Sequence, residues 1–180
     1  MHEATLHTPV GLPVVRDADM SAVGGGYCGR AYHERAQRGI VREAWGDWLS
    51  KLRPWSHFAT FTFARRVGWW GANRRWDDYQ ACLFSAPDGQ AVAESYALFG
   101  EMQRRRGVPH FHTLLQLATV HHIRGTDAVS GWLSGVWGRD NGFARIVPIK
   151  SEGAAYYVSK YASKNDYQFR LVDRIDILEP

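Results

Sequence analysis

Cysteine is scarce in this chain: Cys28 and Cys82 stand alone in 180 residues. Two thiols so far apart exclude a disulfide framework and a zinc knuckle, and a reducing, intracellular setting is the default. No run approaches the apolar length of a transmembrane helix, and the N-terminus lacks a basic-then-apolar leader, so nothing points to a membrane. The pattern G-x-x-x-x-G-K-[ST] is missing, which excludes a fused helicase built on that phosphate loop. There is no internal repeat and no low-complexity segment. What is present is 45% apolar and 13% aromatic residues, enough for a folded globule with a proper core. The net charge is only +4, but the basic residues cluster as Arg65-Arg66, Arg74-Arg75 and Arg104-Arg105-Arg106. These clusters, beside aromatic residues, favour a polyanionic partner over plain solvated surface.

Residues 1–29, with Pro9, Pro13 and Gly24-Gly25-Gly26, read as a flexible arm, and residues 30–180 as a single domain. Ile40, Val41, Ala44, Trp45, Trp48, Leu49 and Leu52 recur at helical spacing, and Pro54 closes that helix. His57 to Phe63 alternates strictly, a strand with Phe61 and Phe63 on one face and Phe58 on the other. Trp69, Ala72, Trp76, Tyr79 and Leu83 mark a second helix, and Pro87-Asp88-Gly89 a turn. A strand from Ser95 to Gln103 and another beginning at Pro109 flank a basic link with turn residues, which predicts a hairpin. A helix from Thr126 (its N-cap candidate) to Trp137, a strand from Phe143 to Ile149 and a helix from Glu152 to Lys164 follow. The tail from Tyr167 to Leu178 alternates weakly, as an edge strand does. The expected fold is α+β: a central antiparallel sheet of about five strands, ferredoxin- or RRM-like, with helices packed on it.

Chemistry concentrates in two segments. In Pro109-His110-Phe111-His112 the strand period puts both imidazoles on one face and Phe111 on the other, where it anchors the core. Folding the hairpin places Glu101 across from the pair. A carboxylate and two imidazoles suit Mg²⁺ or Mn²⁺ acting as a Lewis acid; zinc is less favoured without a cysteine cluster. Histidines so spaced are more often surface or satisfied core groups, and the second segment is what tips the balance. Over Ala154 to Lys164, Ala154, Ala155, Val158 and Ala162 face the sheet, while Tyr157, Lys160, Tyr161 and Lys164 share an adjoining stripe and Tyr156 lies outside it. A phenol is a poor nucleophile unless a cation favours its phenolate or its electrophile is polarised, and Lys160 and Lys164 supply the cation.

Together, Phe58-Ala-Thr-Phe-Thr-Phe63, His110-Phe111-His112 and Tyr157-Val-Ser-Lys-Tyr161-Ala-Ser-Lys164 resemble the three motifs of the HUH superfamily of single-strand DNA endonucleases. Their order is that of replication initiators rather than conjugative relaxases. The tyrosine pair resembles the initiators of microvirus-type phages and the two-tyrosine transposases. The resemblance covers roughly residues 57 to 164. It implies a divalent metal held by His110, His112 and Glu101, and attack on a phosphate by Tyr157 or Tyr161 with Lys160 and Lys164 steadying charge. The product is a 5′-phosphotyrosine link and a 3′-OH that primes rolling-circle synthesis of a phage or plasmid. It further implies single-stranded DNA, as origin or hairpin, held by Arg65, Arg66, Arg74, Arg75, Arg104, Arg105 and Arg106, in the cytoplasm of a bacterial cell or phage-infected host. Either a host helicase and polymerase serve it, or the chain is an excised nicking domain, or it is a short transposase. The rival from another class is a non-catalytic RRM-like module in which Phe61 and Phe63 stack bases; a water-using metal hydrolase leaves the tyrosines idle. His121 and His122 are expected beside the DNA.

Overall fold

The alternation of His57 to Phe63 becomes the strand that organises the molecule, with His57, Ala59, Phe61 and Phe63 buried and Phe58, Thr60 and Thr62 half-buried on the other side. The computed structural model describes residues 28–85, 91–118, 126–151, 153–162, 164 and 168–173. Chain order is α1 (Cys28–Leu52), β1 (His57–Phe63), α2 (Trp69–Phe84), β2 (Ala93–Gln103), β3 (Val108–Leu117), α3 (Thr126–Asp140), β4 (Gly142–Pro148), α4 (Gly153–Ala162) and β5 (Gln168–Asp173). The strands form one sheet ordered β4-β1-β3-β2-β5, with every neighbouring pair antiparallel. The α+β expectation is met, and the weakly alternating tail does supply an edge strand. The expected arm over residues 1–27, the turn at 87–89 and His121 and His122 lie outside the described residues. Among the described residues no helix is long and apolar enough to cross a membrane.

Antiparallel register gives the sheet two unlike faces. On one, Phe61, Phe63, Phe111, Leu115, Tyr96 and Ile146 meet α2 and α3 through Trp76, Tyr79, Leu83, Leu133 and Trp137. The rings interlock edge to face, Phe61 lying 5.2 Å from Trp76 and 5.0 Å from Trp137. Each buried large apolar side chain contributes roughly 1.5–3 kcal/mol. This face carries most of those side chains, so it dominates stability. Phe61 and Phe63 are 0% and 2% exposed, which closes them to bases and removes the support for the RRM-like rival.

On the other face α1 and α4 cover only part of the sheet. Trp45 and Leu49 of α1 and Ala155, Val158, Tyr161 and Ala162 of α4 pack on Ala97, Phe99 and Leu114. The β1–β4 side of that face stays open, with Phe143 and Arg145 exposed. Two glycines enable the arrangement. Gly107, at φ +58°, completes the Arg104–Gly107 turn of the β2–β3 hairpin, its N–H donating to Gln103 O at 2.8 Å. Gly46 lets α1 approach α4 so closely that a Cβ there would overlap the Tyr156 ring.

Candidate active site on the half-covered face

The hairpin register sets Glu101 directly opposite His110 and Phe99 opposite His112. Both imidazoles point to the half-covered face, their ring centroids 4.6 Å apart, while fully buried Phe111 points the other way into the core. His112 Nε2 lies 3.5 Å from Glu101 Oε1, and the Lys164 ammonium pairs with Oε2. On its far side His112 Nδ1 contacts Thr60 Oγ1 at 3.2 Å. The Tyr161 ring lies flat on His112 at 3.7 Å and 10°, and Phe58 is nearly parallel to it at 6.1 Å.

Burial, reinforced by the charge of His112, pushes His110 down to about 4. Burial lowers His112 as well, against the opposing pull of Glu101. Both rings are therefore neutral near pH 7, with lone pairs available for a ligand. Burial raises Glu101, but the contacts with His112 and Lys164 outweigh it and hold the carboxyl at about 2. His110 Nδ1 and His112 Nε2 are buried without a hydrogen-bond partner, an arrangement that costs free energy unless something binds there. Among the described residues no three His, Cys, Asp or Glu side chains stand ready-made around a metal position. Here the Lys164 ammonium engages the carboxylate that would complete the set. The donors thus fit a divalent ion chemically, and Glu101 must exchange Lys164 for it.

The two tyrosines are one helical turn apart but not equivalent. Tyr157 is 46% exposed, whereas Tyr161 is 4% exposed and packed into the core. Tyr161 therefore belongs with Val158 and Ala162 on the sheet-facing side, not on a shared stripe with Tyr157. The helix ends at Ala162, so Lys164 lies beyond it, its N–H donating to Tyr161 O at 3.2 Å. Lys160 Nζ sits 3.5 Å above the Tyr157 ring and 4.7 Å from that of Tyr161; Lys164 Nζ is 4.9 Å from the Tyr161 ring. Hydrogen bonding to Lys160, and then to Tyr161, lowers the Tyr157 phenol below its usual range. Burial raises Tyr161, with the neighbouring Tyr157 adding to it. Tyr156, outside the stripe as expected, donates its hydroxyl to Asp47 of α1.

Three residues of this face were not singled out by sequence: Thr60, Phe58 as a site residue, and Arg145. The alternation of β1 puts Phe58 and Thr60 opposite Phe61, but only the β1–β3 and β1–β4 registers bring Thr60 beside both His112 and Arg145. The arginine clusters divide. Arg65 and Arg66 follow β1 and Arg104, Arg105 and Arg106 form the hairpin turn, all exposed at the sheet end nearest Glu101 and His110; Arg106 donates to Ala64 O at 3.2 Å. Arg74 and Arg75 ride on α2 across the opposite face, away from the histidines, Arg75 donating to Asp140 O and Asn141 Oδ1.

No curated protein and no solved structure matches the chain. The family model for the replication-associated protein ORF2 matches residues 56–166, a span that starts just before β1 and includes Phe58, Thr60, Glu101, His110, His112, Arg145, Tyr157, Lys160, Tyr161 and Lys164. That span is well over half of the chain and holds every residue of the site, so this protein belongs to the ORF2 family of replication-associated proteins.

Proposed function

We propose that the chain is a single-strand DNA endonuclease and strand transferase that starts rolling-circle replication through a covalent tyrosine intermediate. One observation carries the reading: an exposed tyrosine with a lysine over its ring stands beside two neutral, unsatisfied histidines and a carboxylate. His110, His112 and Glu101 would hold Mg²⁺ or Mn²⁺, which when bound supplies Lewis-acid polarisation of a phosphate oxygen. The Tyr157 oxygen attacks phosphorus, its proton passing to solvent, with Lys160 stabilising phenolate character. As the O–P bond forms, the bond from phosphorus to the 3′-oxygen breaks. The 3′-oxygen takes a proton and leaves as a hydroxyl able to prime synthesis. One phosphoester replaces another, so no nucleotide cofactor is consumed and the step reverses. Tyr161, protonated and stacked on His112, holds that ring in place and is the weaker nucleophile. The partner is single-stranded or extruded DNA, and these 180 residues hold no phosphate loop with which to unwind a duplex.

The test is incubation with Mn²⁺ and a labelled pool of randomised single strands, followed by a denaturing gel. Wild type gives a covalent protein–DNA band that EDTA abolishes. Tyr157→Phe lowers it by at least about a hundredfold, in keeping with loss of a covalent nucleophile, while Tyr161→Phe retains first-round adduct. Strand binding with no adduct from any protein would leave a binding module and sink the nuclease reading.

A further inference from the structure

Beside Tyr157, on the side away from the histidines, lies a cavity of about 470 Å³ that no step above uses. Phe58 and Thr60 of β1 and Arg145 and Val147 of β4 form its floor, and Ala154 and Tyr157 of α4 form one wall. The link after β4, carrying Ile149 and Lys150, closes it. Its volume falls in the range of roughly 300–1,000 Å³ typical of small-molecule sites. Aromatic and aliphatic carbon dominates the middle, two cations stand at the lining, and no acid is among the lining residues. A phosphate alone needs no such apolar floor. A planar base attached to a phosphate matches both halves of the surface.

Position identifies which base. Thr60 joins the two halves of the face: its hydroxyl contacts His112, its side chain lines the cavity, and Arg145 is its register partner on β4. Tyr157 belongs to both halves, since its ring borders the cavity and lies 5.4 Å edge-on from Phe58. A strand crossing the face from β3 toward β4 therefore presents one phosphate at Tyr157 and its next nucleotide at the cavity. We infer that this cavity holds the unstacked base of the nucleotide adjoining the scissile phosphate, laid against Phe58 with Arg145 at its edge. The inference rests on the nuclease reading for the word scissile, but base capture is measurable without cleavage.

Affinity for fluorescein-labelled dT12 is compared with that for a twelve-residue abasic strand of the same phosphate count, by anisotropy in EDTA. Loss of stacking on one base predicts that wild type prefers dT12 by roughly 5- to 100-fold. Val147→Phe and Ala154→Trp, which fill the cavity, each lower that ratio by about fivefold or more, with abasic-strand affinity retained as the check that the variant is folded. Arg145→Ala, a change at an exposed side chain that leaves the core intact, lowers dT12 affinity more than abasic affinity. Arg74→Ala, on the opposite face, leaves the ratio unchanged. An unchanged ratio in a folded cavity-filled variant, or an equal loss on both strands from Arg145→Ala, overturns the base pocket. The adduct gel separates the two claims. Adduct with a flat ratio overturns the pocket alone; a cavity-dependent ratio with no adduct overturns the nuclease and keeps base capture.

Discussion

Neutral histidines beside an ionised glutamate have a cost that pH exposes. The folded His110 titrates at about 4, below the usual value of about 6.5. Between these values the unfolded chain binds a proton that the folded chain refuses, so stability falls as pH drops from about 6.5 to about 4. Glu101, depressed to about 2, stabilises the fold above its unfolded value of about 4.3, and that contribution disappears as pH falls toward 2. Urea midpoints of the metal-free protein should therefore decline in two overlapping stages, and His110→Phe should flatten the upper one. A midpoint independent of pH between 6.5 and 4 would contradict the buried, neutral histidine. The histidine pair and Glu101 were legible in the sequence because strand alternation and a hairpin leave little freedom. The difference between Tyr157 and Tyr161 was not, because helical spacing fixes their relative angle but not how far α4 is rotated against the sheet.

At the level of elements, the α1–α4 contact sets where the tyrosine helix lies. Replacing Gly46 in mid-helix by alanine gains about 1 kcal/mol of helix propensity. The new methyl group meets the base of the Tyr156 ring, which cannot swing away as a flexible tip would, and overpacking of this kind costs about 1–3 kcal/mol. The expected net effect of Gly46→Ala is destabilisation of up to about 2 kcal/mol, measured by thermal or urea unfolding. Adding Tyr156→Ala should recover part of that loss, and a stabilised single variant would show that the helices are free to part. Each strand and helix could be placed from periodicity, with ends shifted by a few residues. The strand order could not. Only the β2–β3 hairpin is local; insertion of β1 between β4 and β3 joins residues far apart in sequence, where the choice is made by matching buried faces.

Across the whole molecule, one sheet face is given to packing and the other half to chemistry. The two outer arginine clusters at the Glu101 end and Arg145 at the open side lie along one path, with Arg74 and Arg75 behind it. Binding of single-stranded DNA should weaken steeply with salt, and Arg145→Ala should reduce the slope of log affinity against log salt by about 1 if that side chain also meets a phosphate. Arg74→Ala should leave the slope intact. A slope altered equally by both would mean that the strand wraps both faces. Composition indicated a polyanion partner, but which clusters share a path is a property of topology: Arg74-Arg75 and Arg65-Arg66 are near in sequence and part company on opposite sides of the fold.

The pairing of Lys164 with Glu101 has a thermodynamic consequence. With His110, His112 and Glu101 as the proposed ligands, a divalent ion takes the carboxylate and releases the ammonium toward any phosphate on the face. Breaking an ion pair whose lysine is 47% exposed costs only about 0.2–1 kcal/mol, at most about a fivefold weakening of ion affinity. Whatever the freed lysine contributes to holding DNA must return as tighter ion binding by the same factor. Titration calorimetry of Mn²⁺ with and without a non-cleavable single strand on Tyr157→Phe reads that reciprocity, and Lys164→Met should abolish it while raising the affinity for the ion alone. The lysine thus turns two separate loadings into one cooperative event, so that the site fills with ion chiefly when a strand is there to be cut.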